Sequence, residues 1–105
     1  MFHVVYLVQR APGMSQEDFA RYWVEDHTPL TAAVPGVRAY RCYPATGAPD
    51  GEPAFSGVAI LTFDDEAAYQ AAMAGPEFAA ALADAPNFQD ITSTTALFAA
   101  EHVIV

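Results

Sequence analysis

Three short segments of the chain are apolar at consecutive positions rather than at every second one. They are Val4–Val8, Val58–Leu61 and Val103–Val105, the last of which follows His102. Runs of this length, rich in β-branched residues, are typical of β-strands that are buried on both faces. We therefore predict a sheet that needs cover on each side.

Breaker residues divide the chain into six segments. The turn Ala11-Pro12-Gly13, the pair Pro35-Gly36 and the Pro/Gly-rich residues 44–55 separate strand-like from helix-like sequence. The predicted strands span residues 3–10, 37–43, 56–63 and 96–105. The predicted helices span residues 15–34 and 64–85, the second interrupted at Gly75-Pro76. The order βαββαβ predicts one ferredoxin-like α+β domain over residues 1–105, with a four-stranded antiparallel sheet.

Two helices can cover only one face of such a sheet. The consecutive apolar strand residues therefore require a second cover, and another copy of the chain would supply it, sheet against sheet. We predict a homodimer, paired as an α+β barrel, with a small apolar pocket enclosed in each subunit.

Charge and hydropathy exclude several classes of partner. Thirteen acidic and four basic residues give a net charge of −9, which repels the phosphates that dominate nucleic-acid affinity. No apolar run approaches the ~18 residues of a membrane span. The single Cys42 cannot form an internal disulfide, and no basic secretory signal begins the chain, so we expect a reducing cytoplasm.

The histidines do not have the spacing of metal ligands. His3, His27 and His102 stand far apart in the sequence, and there is no glycine-rich phosphate loop. We expect neither a metal nor a cofactor.

His27 is the residue best suited to chemistry. At about 100° per residue it lies within one turn of Trp23, at the edge of a stripe that includes Phe19 and Leu30. Pro29 should break the helix there. A helix C-terminus favours the imidazolium whereas apolar burial favours the neutral ring, which suits proton transfer at neutral pH. The alternative is a buried structural histidine bonded to a carbonyl.

Three tyrosine and tryptophan side chains are further candidates. Tyr40, in the second strand, could donate its phenol proton to a substrate oxygen, or could be a core residue. Tyr6 and Trp23 suit the core, or the wall of a site for a flat ligand. Asp50 and Glu52, in the long loop, are solvated charges or carboxylates of a lid.

The whole pattern resembles the EthD family of dimeric α+β barrel proteins. The matching features are the Trp-x-x-x-His-x-Pro spacing from Trp23 to Pro29, the Pro35-Gly36 pair, Tyr40, Phe63-Asp64, Asn87-Phe88 and Glu101-His102. The resemblance implies a homodimer with a cleft between sheet and helices. It also implies that His27 and Tyr40 correspond to active-site groups of isomerase-like members. A further histidine of the isomerase has no counterpart between Pro44 and Phe55. His3 matches a first-strand histidine of related plant polyketide cyclases, so it joins Tyr6 and Trp23 as a predicted substrate-binding residue.

These observations predict a cofactor-independent lyase, isomerase or cyclase. Its substrate would be a small aromatic or polyketide-like carbonyl compound in a catabolic or biosynthetic pathway, with His27 as general base and Tyr40 stabilising the enolate oxygen. Two alternatives are a cofactor-free or haem-related monooxygenase, as in sister families, and a non-catalytic small-molecule binding protein.

Overall fold

A computed structural model describes all 105 residues. Four strands form one antiparallel sheet in the order β2-β3-β1-β4. The strands are β1 (Phe2–Val8), β2 (Ala39–Pro44), β3 (Gly57–Phe63) and β4 (Thr95–Ala99). The helices are α1 (Gln16–Tyr22), α2 (Thr28–Ala32), α3 (Glu66–Met73) and α4 (Pro76–Asp84), with a π-helical turn at Trp23–His27 and a 3₁₀ turn at Ala85–Asn87. The predicted ferredoxin-like α+β class is confirmed.

All of the helices lie on one face of the sheet. The side chains of alternate strand residues point to that face, and they include the buried Val4, Val8, Leu61 and Phe63. Phe19, Trp23 and Phe88 complete the packing between α1, the π turn and the sheet. No helix is both long and apolar enough to cross a bilayer.

The opposite face of the sheet has no cover within the chain, and we call it the open face. Its apolar side chains come from three neighbouring strands and fall in register. They are Val5 and Leu7 of β1, Val58 and Ile60 of β3, and Leu97 of β4. This is the face for which the sequence predicts a second copy of the chain.

The first predicted helix is interrupted by the π turn. The residues buried along it are Phe19, Trp23, His27 and Thr31, each four positions after the last. In an α-helix, every four-residue step drifts by about 40°, so three steps would carry Thr31 off the buried side. The wider π turn absorbs that drift. Leu30, expected on the apolar stripe, is therefore only half-buried, and Thr31 takes its place.

Pro29 explains where the interruption falls. It occupies the first turn of α2, where its missing N–H leaves no hydrogen bond broken. The Thr28 N–H instead reaches back five residues to the Trp23 carbonyl. The predicted break at Pro29 is thus a widened turn from which the helix continues.

The last strand is shorter than predicted, ending at Ala99 instead of Val105. β4 is an edge strand that pairs only with β1, and His3 lies opposite Ala99. Because β1 begins at Phe2, one residue before His3, residues 101–105 extend beyond the end of the strand with which β4 pairs. Val103, Ile104 and Val105 are accordingly exposed.

Candidate active site

A cavity of about 270 Å³ opens between the sheet and the helices. Its floor is formed by strand residues such as Tyr6, Ala59 and Leu61, and its roof by Phe78 and Ala81 of α4. Most of the lining is apolar. The side chains of His27, Thr31, Tyr40 and Trp23, which we call the polar wall, contribute polar groups, as do those of Gln89, Thr94 and Thr95. Such a cavity excludes most water and holds a small ligand in a fixed orientation.

His27 lies on that wall and is paired with a carboxylate. Its side chain is buried, and Nδ1 lies 2.8 Å from Oδ2 of Asp84. The Phe88 ring packs against the imidazole with 4.6 Å between ring centroids. These contacts fix the ring so that it cannot rotate freely in the cavity.

Three donors converge on Asp84 and keep it ionised. The Tyr22 hydroxyl donates to Oδ1 at 2.6 Å, and the Asn87 side-chain amide donates to the same oxygen at 3.0 Å. Partial burial favours the neutral acid, but the hydrogen bonds from Tyr22, His27 and Asn87 outweigh it and hold the pKa of Asp84 below its ordinary value.

The ionised carboxylate fixes the tautomer of His27. A carboxylate can only accept hydrogen bonds, so Nδ1 must carry the proton that lies between His27 and Asp84. In the neutral ring, Nε2 then holds the lone pair. It lies 3.3 Å from the Thr31 hydroxyl, which is free to donate to it.

Thr31, Tyr40 and Trp23 continue the polar wall beyond His27. The Trp23 indole N–H donates to the Tyr40 oxygen at 3.3 Å, which leaves the phenol proton available to an acceptor. The Thr31 hydroxyl is near enough to Tyr40 to lower its pKa slightly, yet burial, together with the Cys42 thiol, raises the pKa of Tyr40 above its ordinary value. Tyr40 is therefore a hydrogen-bond donor throughout the neutral range.

Glycine at position 57 allows Trp23 to lie flat against the sheet. A Cβ atom there would come within 2.5 Å of Cζ3 of the indole. Any larger residue at position 57 would require the Trp23 ring to shift.

Four of the five residues predicted for the site are brought together. His27, Tyr40, Tyr6 and Trp23 all line the cavity. His3 does not, because it points to the open face, where Nδ1 lies 2.8 Å from Oγ1 of Thr62. The predicted contact of His3 with a substrate is therefore not possible in this cavity.

Asp84 and Thr31 belong to the site and were missed in the sequence. An aspartate in the last turn of a helix opposes the helix dipole, which signals that Asp84 has a specific partner. Thr31 follows His27 by four residues, the spacing of a shared helix face. No group of three or more His, Cys, Asp or Glu side chains in the structure could hold a metal ion.

The long loop between β2 and β3 lies away from the cavity. It borders a separate polar cleft beside Arg10 and Gln16, and the Gln16 amide donates to the carbonyls of Ala45 and Ser56. Asp50 and Glu52 are exposed. The loop thus contributes no lid residue to the apolar cavity.

The comparisons with known proteins agree with this architecture. A crystal structure of an EthD family protein from Bacillus halodurans C-125 is 26% identical, covers 97% of this chain and 99% of its own, and has a TM-score of 0.82. A dimeric ferredoxin-like protein of unknown function from Thermobifida fusca YX is 19% identical, with coverage of 95% and 90% and a TM-score of 0.74.

HapK from Hahella chejuensis shares the fold at 14% identity, with coverage of 100% and 95% and a TM-score of 0.70. No curated protein matches the chain. The EthD domain, however, matches residues 11–92, most of the sequence. The chain therefore belongs to the EthD family.

Proposed function

We propose that the protein is a cofactor-independent lyase, isomerase or cyclase that moves a proton on a small aromatic or polyketide-like carbonyl compound. The observation that carries the proposal is the 2.8 Å contact between His27 Nδ1 and Asp84 Oδ2. It orients the lone pair of Nε2 away from the carboxylate, as a general base requires.

In the proposed reaction, Nε2 of His27 takes a proton from the carbon next to the substrate carbonyl. The C–H electron pair moves into the enolate, and the phenol of Tyr40 donates a hydrogen bond to the enolate oxygen. The imidazolium is stabilised by Asp84. It then returns the proton to another carbon, to a leaving group, or to the product of an internal carbon–carbon bond formation.

Burial of the site strengthens the hydrogen bond from Tyr40 to the enolate oxygen and the contact between Asp84 and the imidazolium. Hydrogen bonds and charge contacts are stronger in an apolar cavity than in water, and most of the lining here is apolar. A protein that only binds a ligand has no need of a base oriented by an ionised partner.

Proton exchange tests the proposal without knowledge of the natural substrate. Acetophenone and cyclohexanone, an aromatic and an alicyclic ketone, are dissolved in D₂O with the protein, and NMR follows the loss of the α-proton signals. The wild type should accelerate exchange over buffer. The variant H27Q should lose about 10²–10⁴ of that acceleration, and Y40F should lose rate while its affinity stays within about tenfold.

The matched control is H102Q, since His102 is exposed and makes no side-chain hydrogen bond. It should exchange at the wild-type rate. Binding of both ketones by the wild type without exchange would favour the non-catalytic binding protein, and an H27Q variant as fast as wild type would remove His27 from the mechanism.

We further infer that the protein works as a homodimer joined through the open face. The support is the cluster of Val5, Leu7, Val58 and Ile60 on a surface that no helix covers, and the dimeric description of the Thermobifida fusca protein. The two apolar faces would exclude water from each other, as in obligate interfaces.

A further inference from the structure

All of the cationic side chains of the chain lie outside the cavity. The chain has no lysine, and its four basic residues are Arg10, Arg21, Arg38 and Arg41. Arg21 and Arg38 form ion pairs with Asp18 and Asp64 at 3.0 and 2.9 Å.

The other two arginines are also directed elsewhere. Arg10 donates to the Gln16 side chain at 3.2 Å in the separate polar cleft. Arg41 alternates with Tyr40 along β2 and lies opposite Ile60, so it belongs to the open face. None of them lines the cavity.

Negative charge lies behind the polar wall of the cavity. α4 ends at Asp84, so the negative end of its dipole and an ionised carboxylate meet at the same place. His27 is the only lining side chain that can carry a positive charge, and it is already paired with Asp84. An anion in the cavity would therefore be buried without a cation of its own, which is costly.

The size of the cavity restricts the ligand further. A volume of about 270 Å³ equals that of about nine water molecules in the liquid. This space is ample for a six-membered ring with short substituents. Larger compounds would extend past Leu82, which lines the rim and is exposed.

From the absence of cations in the lining and the carboxylate behind His27, we infer that the cavity selects small uncharged carbonyl compounds and rejects their carboxylate counterparts. The carbonyl oxygen would accept a hydrogen bond from Tyr40. The inference deepens the proposed function by naming its substrate class, and it rests on that function only for the choice of a carbonyl group.

Acetophenone and benzoate test the inference because they have the same number of non-hydrogen atoms and differ in charge. Trp23 is the only tryptophan and lines the cavity, so its single indole N–H resonance reports binding in a ¹⁵N-labelled sample. At pH 8, acetophenone should bind at least tenfold more tightly than benzoate. Equal or tighter binding of benzoate would overturn the inference, and so would a Trp23 resonance that neither compound moves.

A cation placed at the rim should weaken the selectivity. L82R should bind benzoate at least threefold more tightly than L82Q, a variant with a polar side chain and no charge. Equal affinities in the two variants would contradict the electrostatic basis of the inference.

The binding test of this inference can fail or succeed independently of the proton-exchange test of the proposed function. Selective binding of acetophenone without proton exchange would leave the inference standing and sink the proposed reaction. Proton exchange confined to carboxylate-bearing ketones would do the reverse.

Discussion

Asp84 occupies a position that is unfavourable for helix stability. A carboxylate in the last turn of α4 faces the negative end of the helix dipole, yet Tyr22, Asn87 and His27 all bond to it. Tyr22 and His27 come from the first helical region, whereas Asn87 follows Asp84 by three residues. Asp84 thus positions His27 and at the same time joins the first helical region to the second.

Two buried phenols make the stability of the fold sensitive to alkaline pH. Burial is the main cause that raises the pKa of Tyr6 and of Tyr40, so both stay neutral in the folded protein where the unfolded chain ionises. The two neutral phenols contribute fully to the free energy of unfolding below the ordinary tyrosine pKa of about 10. This contribution is lost as the pH rises towards the pKa values of the phenols in the folded protein. The free energy of unfolding should fall above pH 10 by about 1.4 kcal/mol per pH unit for each phenol.

Urea titrations at pH 8, 10 and 11 measure this decline. The absence of lysine removes the other side chain that commonly titrates in this range. Y40F should lessen the slope, whereas Y43F should not, because Tyr43 is half exposed. A flat wild-type profile from pH 8 to 11 would show that neither phenol is buried as described.

Residue types and helix periodicity indicated a buried position for His27, which lines the cavity together with Tyr40. The same features were not enough for Asp84, because it is 57 residues away from His27 and the two meet only when α4 packs beside the first helical region. His3 was misplaced for a related reason. Its type suits a site, but its strand register points it to the other face of the sheet.

The π turn is the element that shapes the site. Its extra residue keeps Trp23, His27 and Thr31 on one side of the helical segment. Deleting one residue within the turn would restore spacings of four, three and four, which an α-helix places on one face without distortion. The turn therefore changes the position of His27 along the helix axis and the angle of its side chain more than the buried fraction of that side chain. Such turns are frequent at functional sites.

Deletion of Glu25, which is exposed, should convert the turn to a regular α-helix. We expect a midpoint in urea equal to or above that of the wild type, together with a loss of at least tenfold in ketone proton exchange, because His27 shifts by about 1.5 Å along the helix axis. Circular dichroism and the exchange assay measure the two effects.

The matched control is E25A, which keeps the extra residue. It should retain wild-type exchange. A deletion variant that exchanges protons as fast as E25A would show that the π turn has no part in positioning His27.

The residues at which strands end were harder to predict than the segments that form strands. The residues 103–105 have the composition of a strand, but β4 has β1 as its only neighbour, and β1 begins at Phe2. Composition describes what a segment favours, whereas pairing depends on how far the neighbouring strand extends. The number of strands and the βαββαβ order of elements along the chain were predicted correctly.

At the scale of the whole molecule, the open face should determine the oligomeric state. Light scattering at micromolar concentration should give twice the chain mass of 11.2 kDa. The variant I60K, which places a charge at the centre of the face, should give a monomer because a lysine cannot be buried there without a partner.

V24K is the matched control, since Val24 is exposed on the helical layer. It should remain dimeric. A monodisperse wild-type monomer would leave the apolar open face to another occupant and would contradict the homodimer.

The tautomer of His27 tests the central claim most directly, because a general base at Nε2 requires the proton on Nδ1. Two-bond ¹H–¹⁵N NMR of the histidine rings at pH 8 distinguishes the two neutral forms without any substrate. We predict that His27 carries its proton on Nδ1, facing Asp84, and that D84A loses this preference. A wild-type His27 protonated on Nε2 would leave no base facing the cavity and would contradict the proposed mechanism.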